Sequence, residues 1–426
     1  LLCFERMKEV TVGDQTVLLV RTQGQYSAVG SQCSHYNAPL VKGVLVGDRV
    51  RCPFHGACFN VRTGDIEEYP GLDCLPSYKV KVEDGKVYVS IHKNLTKRVK
   101  EMCSRVPDIK HTILLVGGGP ASLICAETLR QNCYQGRIVM VTKDTLPPYD
   151  KPKLSKALDL DSSHILLRTS DFYQQHGVEV WTQKEVVSVN PADKAVKLSD
   201  GSLQRYDQLL IATGCSARPL DCPGRDLKGV KLLQRYEDML EEQNVKFYMN
   251  DGVTEIQGED GKVKGVVLKS GRVLEADVVI AGIGVIPNSD FLAGSELEVD
   301  SRKAVIVDKF MRTNVPDVFS AGDVTSFPLT IRGDQRVNVG HWQMSHAQGR
   351  VAALNMLKKP TRCEESYGEG YTEIIFKGKV EERKFLAFYI KDEVVVAAAS
   401  LMFDPAVARL AELMATGQII TKAQAQ

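Results

Sequence analysis

The chain has 426 residues, 43% of them hydrophobic and 25% charged, with 54 basic against 53 acidic side chains. That length exceeds one ordinary core, so two or three domains are expected, and the near-zero balance gives neither the basic stripe of a nucleic-acid binder nor an acidic tail. The longest clean apolar stretch, Val394 to Phe403, is far short of the roughly 20 residues that span a bilayer, so no transmembrane segment is expected.

The 11 cysteines are odd in number and scattered, unlike the dense, even framework of a small secreted domain. A reducing compartment, cytoplasmic or mitochondrial, fits better. The chain starts at Leu1 rather than Met, so its targeting is not legible.

Residues 1–92 read as all-β. Short β-branched runs such as Val17-Leu18-Leu19-Val20, Val44-Leu45-Val46 and Val80-Lys81-Val82 alternate with Gly, Asp and Asn turns. Asp84-Gly85 between two such runs is a two-residue hairpin signal. Residues 93–111 are charged and lack apolar periodicity, as a linker does. Ile113-Leu114-Leu115-Val116 is then a continuous apolar run, as a buried parallel strand needs, followed by glycines, a helical segment from Ala121 to Arg130 and a strand from Ile138 to Thr142. Strands are expected up to Asp277–Ala281, at Glu373–Phe376 and at Phe385–Ile390, and a last helix from Asp404-Pro405 to Gly417.

The β-rich segment contains Cys33-Ser34-His35, then sixteen residues, then Cys52-Pro53-Phe54-His55. Each box gives one thiolate and one imidazole. A Rieske [2Fe–2S] centre needs two Cys on one iron and two His on the other. Zinc fingers pair Cys with Cys and His with His along the chain. Here the order alternates, so Cys33, His35, Cys52 and His55 are read as Rieske ligands in preference to a zinc site or unligated core residues. Cys58 is read as a packing thiol.

Gly117-Gly118-Gly119-Pro120-Ala121-Ser122 follows a strand and opens a helix, the context a dinucleotide fingerprint requires. Gly117 allows the tight turn, Gly119 lets a pyrophosphate approach the helix N-terminus, and Ser122 stands at the third glycine position. Asp144 lies 22 residues beyond Ser122, where an acid binds a ribose. Ile211-Ala212-Thr213-Gly214 closes a strand and precedes Arg218-Pro219, and Ser320-Ala321-Gly322-Asp323 follows later. Lys151 and Lys156 add cations; the plainer reading of both is a basic surface loop.

Together these motifs resemble the flavoprotein ferredoxin reductases of the glutathione-reductase-like class. With the Rieske boxes, the chain is similar to apoptosis-inducing factor 3-like proteins over nearly its whole length. The resemblance implies FAD at Gly117, Gly119, Asp144, Lys151, Lys156 and Asp323, a backbone contact from Val186 to adenine, and the His341-Trp342-Gln343 region near the isoalloxazine. It implies NAD(P)H oxidation with electrons passed through FAD to an iron–sulfur centre. High-potential Rieske proteins have a disulfide between the two loops and Ser and Tyr donors after the second. Ala38, Phe54, Ala57 and Phe59 stand at those positions here, which implies a potential near the low end of the roughly −150 to +300 mV range.

The family carries a second fingerprint, for NAD(P)H, and none is found. Gly282-Ile283-Gly284-Val285-Ile286-Pro287 is interrupted by Pro287 and resembles the return segment into the FAD domain. On the order of 60 residues are missing, at about 30 per βαβ unit. The segment from Val245 to Met249 is expected to be a strand with its apolar face open, and a smaller gap is expected between Lys359 and Tyr367, before Gly368-Glu369-Gly370. The expected order is a Rieske domain (1–92), a linker (93–111), an FAD-binding domain in two parts (112–230 and 274–358), a remnant of the NAD(P)H domain (231–273) and a C-terminal α+β interface domain (359–426).

The fold class is therefore multidomain: an all-β Rieske domain, an α/β two-dinucleotide flavoprotein fold with a truncated NAD domain, and an α+β C-terminal domain. The expected partner is a small-molecule or iron–sulfur protein electron acceptor, with a homodimer left open. None of the eight histidines forms an acid–base dyad. The competing reading is a non-catalytic, pro-apoptotic interaction protein.

Overall fold

The computed structural model of the chain describes residues 6–91, 98–154, 161–232, 246, 248–329, 334–363, 371–415 and 417–426. Lys156, Val245, Phe247 and the Gly368–Gly370 turn lie outside the described residues.

The N-terminal part holds two antiparallel sheets. One runs in the order Arg6–Val12, Gln15–Thr22, Gln25–Gly30, Ser77–Glu83, Lys86–Ser90. The other runs Val44–Val46, Arg49–Arg51, Cys58–Asn60, Ile66–Glu68. Asp84 and Gly85 turn the first sheet's last hairpin with φ of 49° and 72°, the left-handed pair that such a two-residue turn demands. Leu18, Val20, Val29, Leu40, Val50, Phe59 and Leu75 form the core beneath the Cys boxes.

The central sheet is parallel, in the order Val178–Trp181, Arg137–Val141, Thr112–Val116, Gln208–Ile211, Val318–Ser320. Thr112–Val116 is buried at all five positions, because both faces are covered. Two long helices, Pro120–Gln131 and Trp342–Met356, lie together on one face. A Cβ on Gly349 would meet the Ala121 carbonyl oxygen at 2.3 Å, so the two helices touch through small residues. A three-stranded sheet, Val186–Asn190, Ala195–Leu198 and Leu203–Arg205, covers the other face.

The segment after residue 230 is meagre. Val230–Leu232 pairs in parallel with Val279–Ala281. Beside them lies a meander of Val253–Glu259, Lys262–Leu268 and Val273–Glu275. The expected strand toward Met249 is not seen in its described part: Lys246 and Tyr248 are irregular and Met249 sits in a turn. Among the described residues no strand pairs with it, its backbone turns at Met249, and Tyr248 packs under Arg272 at 4.9 Å. The C-terminal part is an antiparallel sheet of Glu373–Lys379, Lys384–Lys391 and Val394–Leu401. It is followed by the helix Ala406–Ala415 and, beyond the one expected, a short capped helix, Lys422–Ala425.

Buried charges join these parts. Arg168 donates from Nε to Glu127 Oε1 at 2.8 Å, from Nη1 to Asp73 Oδ1 at 2.5 Å and from Nη2 to the Leu72 carbonyl at 3.1 Å. Glu127 belongs to the first long helix and Asp73 to the Rieske side. Burial raises the Glu127 carboxyl above its usual range, against the pull of Arg168. Arg168→Leu would strand two carboxylates in a dry seam, so a loss of about 3–5 kcal/mol is expected in urea unfolding. Without the guanidinium, Glu127 is raised further. The folded state then binds more protons than the unfolded one, so stability falls as pH rises and the loss shrinks as pH is lowered. An equal loss at pH 5 and pH 8 would contradict this account.

Candidate functional site

The two Cys boxes fold as equivalent loops. The Cys33 amide donates to the Ala38 carbonyl at 2.9 Å, and the Cys52 amide to the Ala57 carbonyl at 2.8 Å. Four residues after each cysteine, Asn37 and Gly56 turn the chain with φ of 53° and 76°. The backbone amides of His35 and Tyr36 point at the Cys33 sulfur, and those of Phe54 and His55 at the Cys52 sulfur. The buried thiols share a hydrogen bond, which pulls Cys52 down to about 7 and pushes Cys33 up, with burial adding to the rise at Cys33. The rings of His35 and His55 stand edge to face, 5.1 Å apart.

These four side chains fit a [2Fe–2S] cluster: a pair of thiols on the inner side, a pair of imidazoles on the outer side, and amides already aimed at sulfur. Among the described residues no three His, Cys, Asp or Glu donors converge on one point as a mononuclear site needs. A Rieske set asks instead for two protein donors at each iron. Cys58 is buried and receives Arg49 Nε at 3.2 Å.

The dinucleotide residues gather at the carboxyl edge of the parallel sheet, where such folds bind nucleotides. Gly117 has φ 120°, and a Cβ there would lie 2.1 Å from the Ala212 carbonyl oxygen. A Cβ on Gly119 would meet nothing within 4 Å. Pro120 opens the first long helix with no side-chain cap, an arrangement that suits a pyrophosphate at the helix N-terminus beside the clear space over Gly119. Ala121 and Ser122 are buried, and the Ser122 hydroxyl has no partner. Asp144 follows the next strand and its carbonyl accepts from the Gln183 amide at 2.9 Å. Val186 begins the covering sheet and is buried.

Asp323 is the other candidate anchor. Its Oδ1 accepts from Ser345 Oγ at 3.1 Å, and its carbonyl from Cys215 Sγ at 3.2 Å. Burial raises its carboxyl, while Ser345, Lys151 and His341 pull it back. Lys151 opens a short helix, Lys151–Leu154. Gly214 turns with φ 66° just before Cys215. Arg218 lies further along that segment, exposed, with Nη2 3.5 Å from the Val285 carbonyl. Trp342 starts the second long helix, half-buried, with its ring 5.0 Å from His346.

The Cys-box loops meet the helix that begins at Trp342. Gln343 Nε2 donates to the His55 carbonyl at 2.8 Å and to the Tyr69 carbonyl at 3.2 Å. Ser34, between Cys33 and His35, donates to the Asp73 carbonyl at 2.6 Å, and Asp73 holds Arg168. Arg51 donates to the Gly56 carbonyl at 2.9 Å and to Glu68 at 2.6 Å, and is paired with Glu412 of the C-terminal helix. Arg168, Asp73, Arg51, Tyr69 and His346 escaped sequence reading.

Residues 4–79 match the Rieske [2Fe-2S] domain family. Residues 111–236 and 229–349 match the pyridine nucleotide-disulphide oxidoreductase family, in two pieces that meet where the second fingerprint is missing. Human apoptosis-inducing factor 3 is 40% identical over 99% of this chain and 84% of its own length. The chain belongs to the apoptosis-inducing factor 3 family. Its members join a Rieske domain to an FAD-dependent oxidoreductase, and the two matches imply [2Fe–2S], FAD and NAD(P)H. The alignment with the human relative runs over 505 positions against 426 residues here, so that relative carries segments this chain lacks. The rubredoxin-NAD(+) reductase of Pseudomonas putida is 29% identical over half of the chain and 71% of its own length. The putidaredoxin reductase–putidaredoxin complex superposes with a TM-score of 0.69 over 75% of this chain and 96% of that one, at 22% identity, a likeness of fold. Among the described residues no helix is long and apolar enough to cross a membrane.

Two substitutions separate the sites. Gly119→Val would meet no protein atom within 4 Å at its Cβ but stands where a pyrophosphate in this site would touch backbone. It should fold, lose flavin and keep the iron–sulfur absorption; unchanged flavin content would move the site elsewhere. His35→Cys should shift the spectrum of the reduced cluster toward an all-Cys centre or abolish it, and bound zinc in place of iron in the unaltered protein would overturn the ligand assignment.

Proposed function

We propose that this chain passes electrons from its flavin to its own Rieske cluster, and from there to an external small-molecule or iron–sulfur acceptor. The hydrogen bonds from Gln343 to the His55 and Tyr69 carbonyls carry this reading. They join a cluster loop to the helix whose next turn holds Asp323 through Ser345. When bound, FAD would supply the exchange between a hydride's electron pair and single electrons, and a [2Fe–2S] centre on Cys33, His35, Cys52 and His55 would carry those one at a time. The chain's residues do the positioning. The Gly117–Ala121 turn offers backbone amides to a pyrophosphate, and Lys151 and Asp323 offer opposite charges near the ring end. Ser345 holds Asp323 in place. Gln343, Arg168 and Arg51 hold the cluster loops against that site.

The source of electrons is the weak link. A second dinucleotide fingerprint is absent from the sequence, and the oxidoreductase match breaks at the same point. Around the remnant, Val278, Ile280 and Ile283 stay 56%, 58% and 46% exposed, where helices of a complete nucleotide domain would cover them. In this reading NAD(P)H is the reductant of the family, and this shortened chain binds it poorly.

Mixing the holoprotein with NADH in a stopped flow should bleach the flavin slowly. Photoreduction of the flavin in the presence of EDTA should then reduce the cluster. Fast bleaching by NADH would show that the missing half is dispensable. A flavin that photoreduces while the cluster stays oxidised would sink the internal path. Gln343→Leu should slow flavin-to-cluster transfer while leaving both cofactors bound; an unchanged rate would show that this clasp does not position them.

A further inference from the structure

Arg51 ends the strand Arg49–Arg51 and stands directly before Cys52. It is 6% exposed, and its planar guanidinium is met from three directions. Nη1 donates to the Gly56 carbonyl at 2.9 Å, Nη2 to Glu68 Oε2 at 2.6 Å, and Nε to Glu412 Oε1. Glu412 is 4% exposed and lies on the C-terminal helix Ala406–Ala415, 361 positions along the chain. Arg49 meets Glu67 at 3.2 Å and comes within 3.9 Å of Glu412. The side chains of Arg49, Glu67 and Glu68 are each about a third exposed. Within this group of charges, Arg51 and Glu412 are the pair withdrawn from water.

The bond to Gly56 fastens the second Cys box at its far end. Gly56 follows His55 and turns with φ 76°, and the next carbonyl, that of Ala57, accepts from the Cys52 amide at 2.8 Å. Arg51 therefore holds the start of the box by its backbone and the end by its side chain. That backbone is tightly packed: a Cβ on Gly43 would lie 2.2 Å from the Arg51 carbonyl oxygen. The counterpart before Cys33 is Gln32, exposed and uncharged. Stability alone does not account for the pair, because well-packed apolar side chains of similar volume often serve as well or better. Two things such side chains cannot do. They cannot fix a carbonyl with a rigid fork of donors, and they cannot place charge beside a redox centre where water screens it little.

We propose that Arg51 is a positioning residue for the [2Fe–2S] cluster and that Glu412, through it, lets the C-terminal helix set the cluster's reduction potential. This rests on the assignment of Cys33, His35, Cys52 and His55 as the ligands. Reduction adds one electron to the cluster, and no bond forms or breaks at Arg51 or Glu412. A cation beside the Cys52 loop favours the added negative charge, and a carboxylate opposes it. Glu412 offsets the rise in potential that an unmatched Arg51 would cause, while Arg51 keeps its hold on the Gly56 carbonyl.

The test uses cofactor-loaded protein, with iron and sulfide counted and the cluster titrated with dithionite while its paramagnetic signal is followed. Glu412→Gln keeps the shape and an acceptor but not the charge. Its one-electron equilibrium should move about tenfold toward the reduced cluster, a rise of about 59 mV, with a spectrum close to that of the unaltered protein. Glu68→Gln removes a charge that water already screens, so its rise should be smaller. Arg51→Lys keeps the charge but has no fork to hold Gly56 and both carboxylates. It should shift the reduced spectrum and move the potential less than Glu412→Gln does. Arg51→Met combined with Glu412→Leu replaces the pair by apolar side chains, a change that folded proteins often tolerate. The double variant should shift the spectrum as Arg51→Lys does, and it decides the question where a single variant does not fold. An unchanged potential in Glu412→Gln, or an unchanged spectrum in both Arg51→Lys and the double variant, overturns the proposal. Unaltered protein without iron and sulfide defeats the ligand assignment itself, and this inference with it.

Discussion

A guanidinium buried between two parts of a chain must be satisfied from both sides at once. Arg168 is only 8% exposed and meets Glu127 of the pyrophosphate-facing helix and Asp73 of the Rieske side. Pulling the parts away from each other would leave three charges without partners in a dry place, which costs several kcal/mol. The Rieske part is therefore not a bead on a tether. Its first cluster loop is tied to the same anchor through Ser34 and Asp73. Its second loop is tied to the other long helix through Gln343 and to the C-terminal helix through Arg51 and Glu412. The geometry of both candidate cofactor sites depends on this seam.

Much of this was legible in the sequence, and the reason is local. A Cys-x-His box and a Cys-x-x-His box carry their chemistry within four residues. The glycine turn carries its own within six. Such motifs are read without knowing what packs around them. The continuous apolar run at Ile113–Val116 gave the central strand for the same reason: a buried parallel strand shows on every residue. The seam was not legible. Arg168 and Asp73 are 95 positions apart, and Gln343 and His55 are 288 apart. Nothing in a single sequence marks such residues as partners. Arg and Asp are the residues usually found in solvent, so their burial here is a tertiary fact.

The shortened nucleotide domain shows the opposite limit. Absence of a fingerprint was readable; what the remaining backbone would do was not. The expectation of a strand toward Met249 assumed that the family's pairing partners exert their hold even when removed. A strand is stabilised by its neighbours. With the neighbours gone, Met249 lies in a turn and is 78% exposed. The meander beside it keeps its register because its hydrogen bonds are its own. Val253–Glu259 and Lys262–Leu268 turn at Asp260-Gly261, where φ is 50° and 74°, and need nothing from the missing half.

Both candidate cofactor sites are shaped by backbone. Each cluster loop is closed by an amide–carbonyl bond across five residues, Cys33 to Ala38 and Cys52 to Ala57, and amides of each loop point at its sulfur. The flavin cradle is shaped by a glycine that no other residue could replace at φ 120° and by a helix end left uncapped. Such pre-organisation leaves little to rearrange when the groups enter. Among the described residues, the Ser122 hydroxyl and both ring nitrogens of His346 are buried without hydrogen-bond partners. Arg130 shows how burial is usually matched in this fold: four backbone carbonyls, from His176, Tyr134, Gly136 and Gly177, accept from its guanidinium.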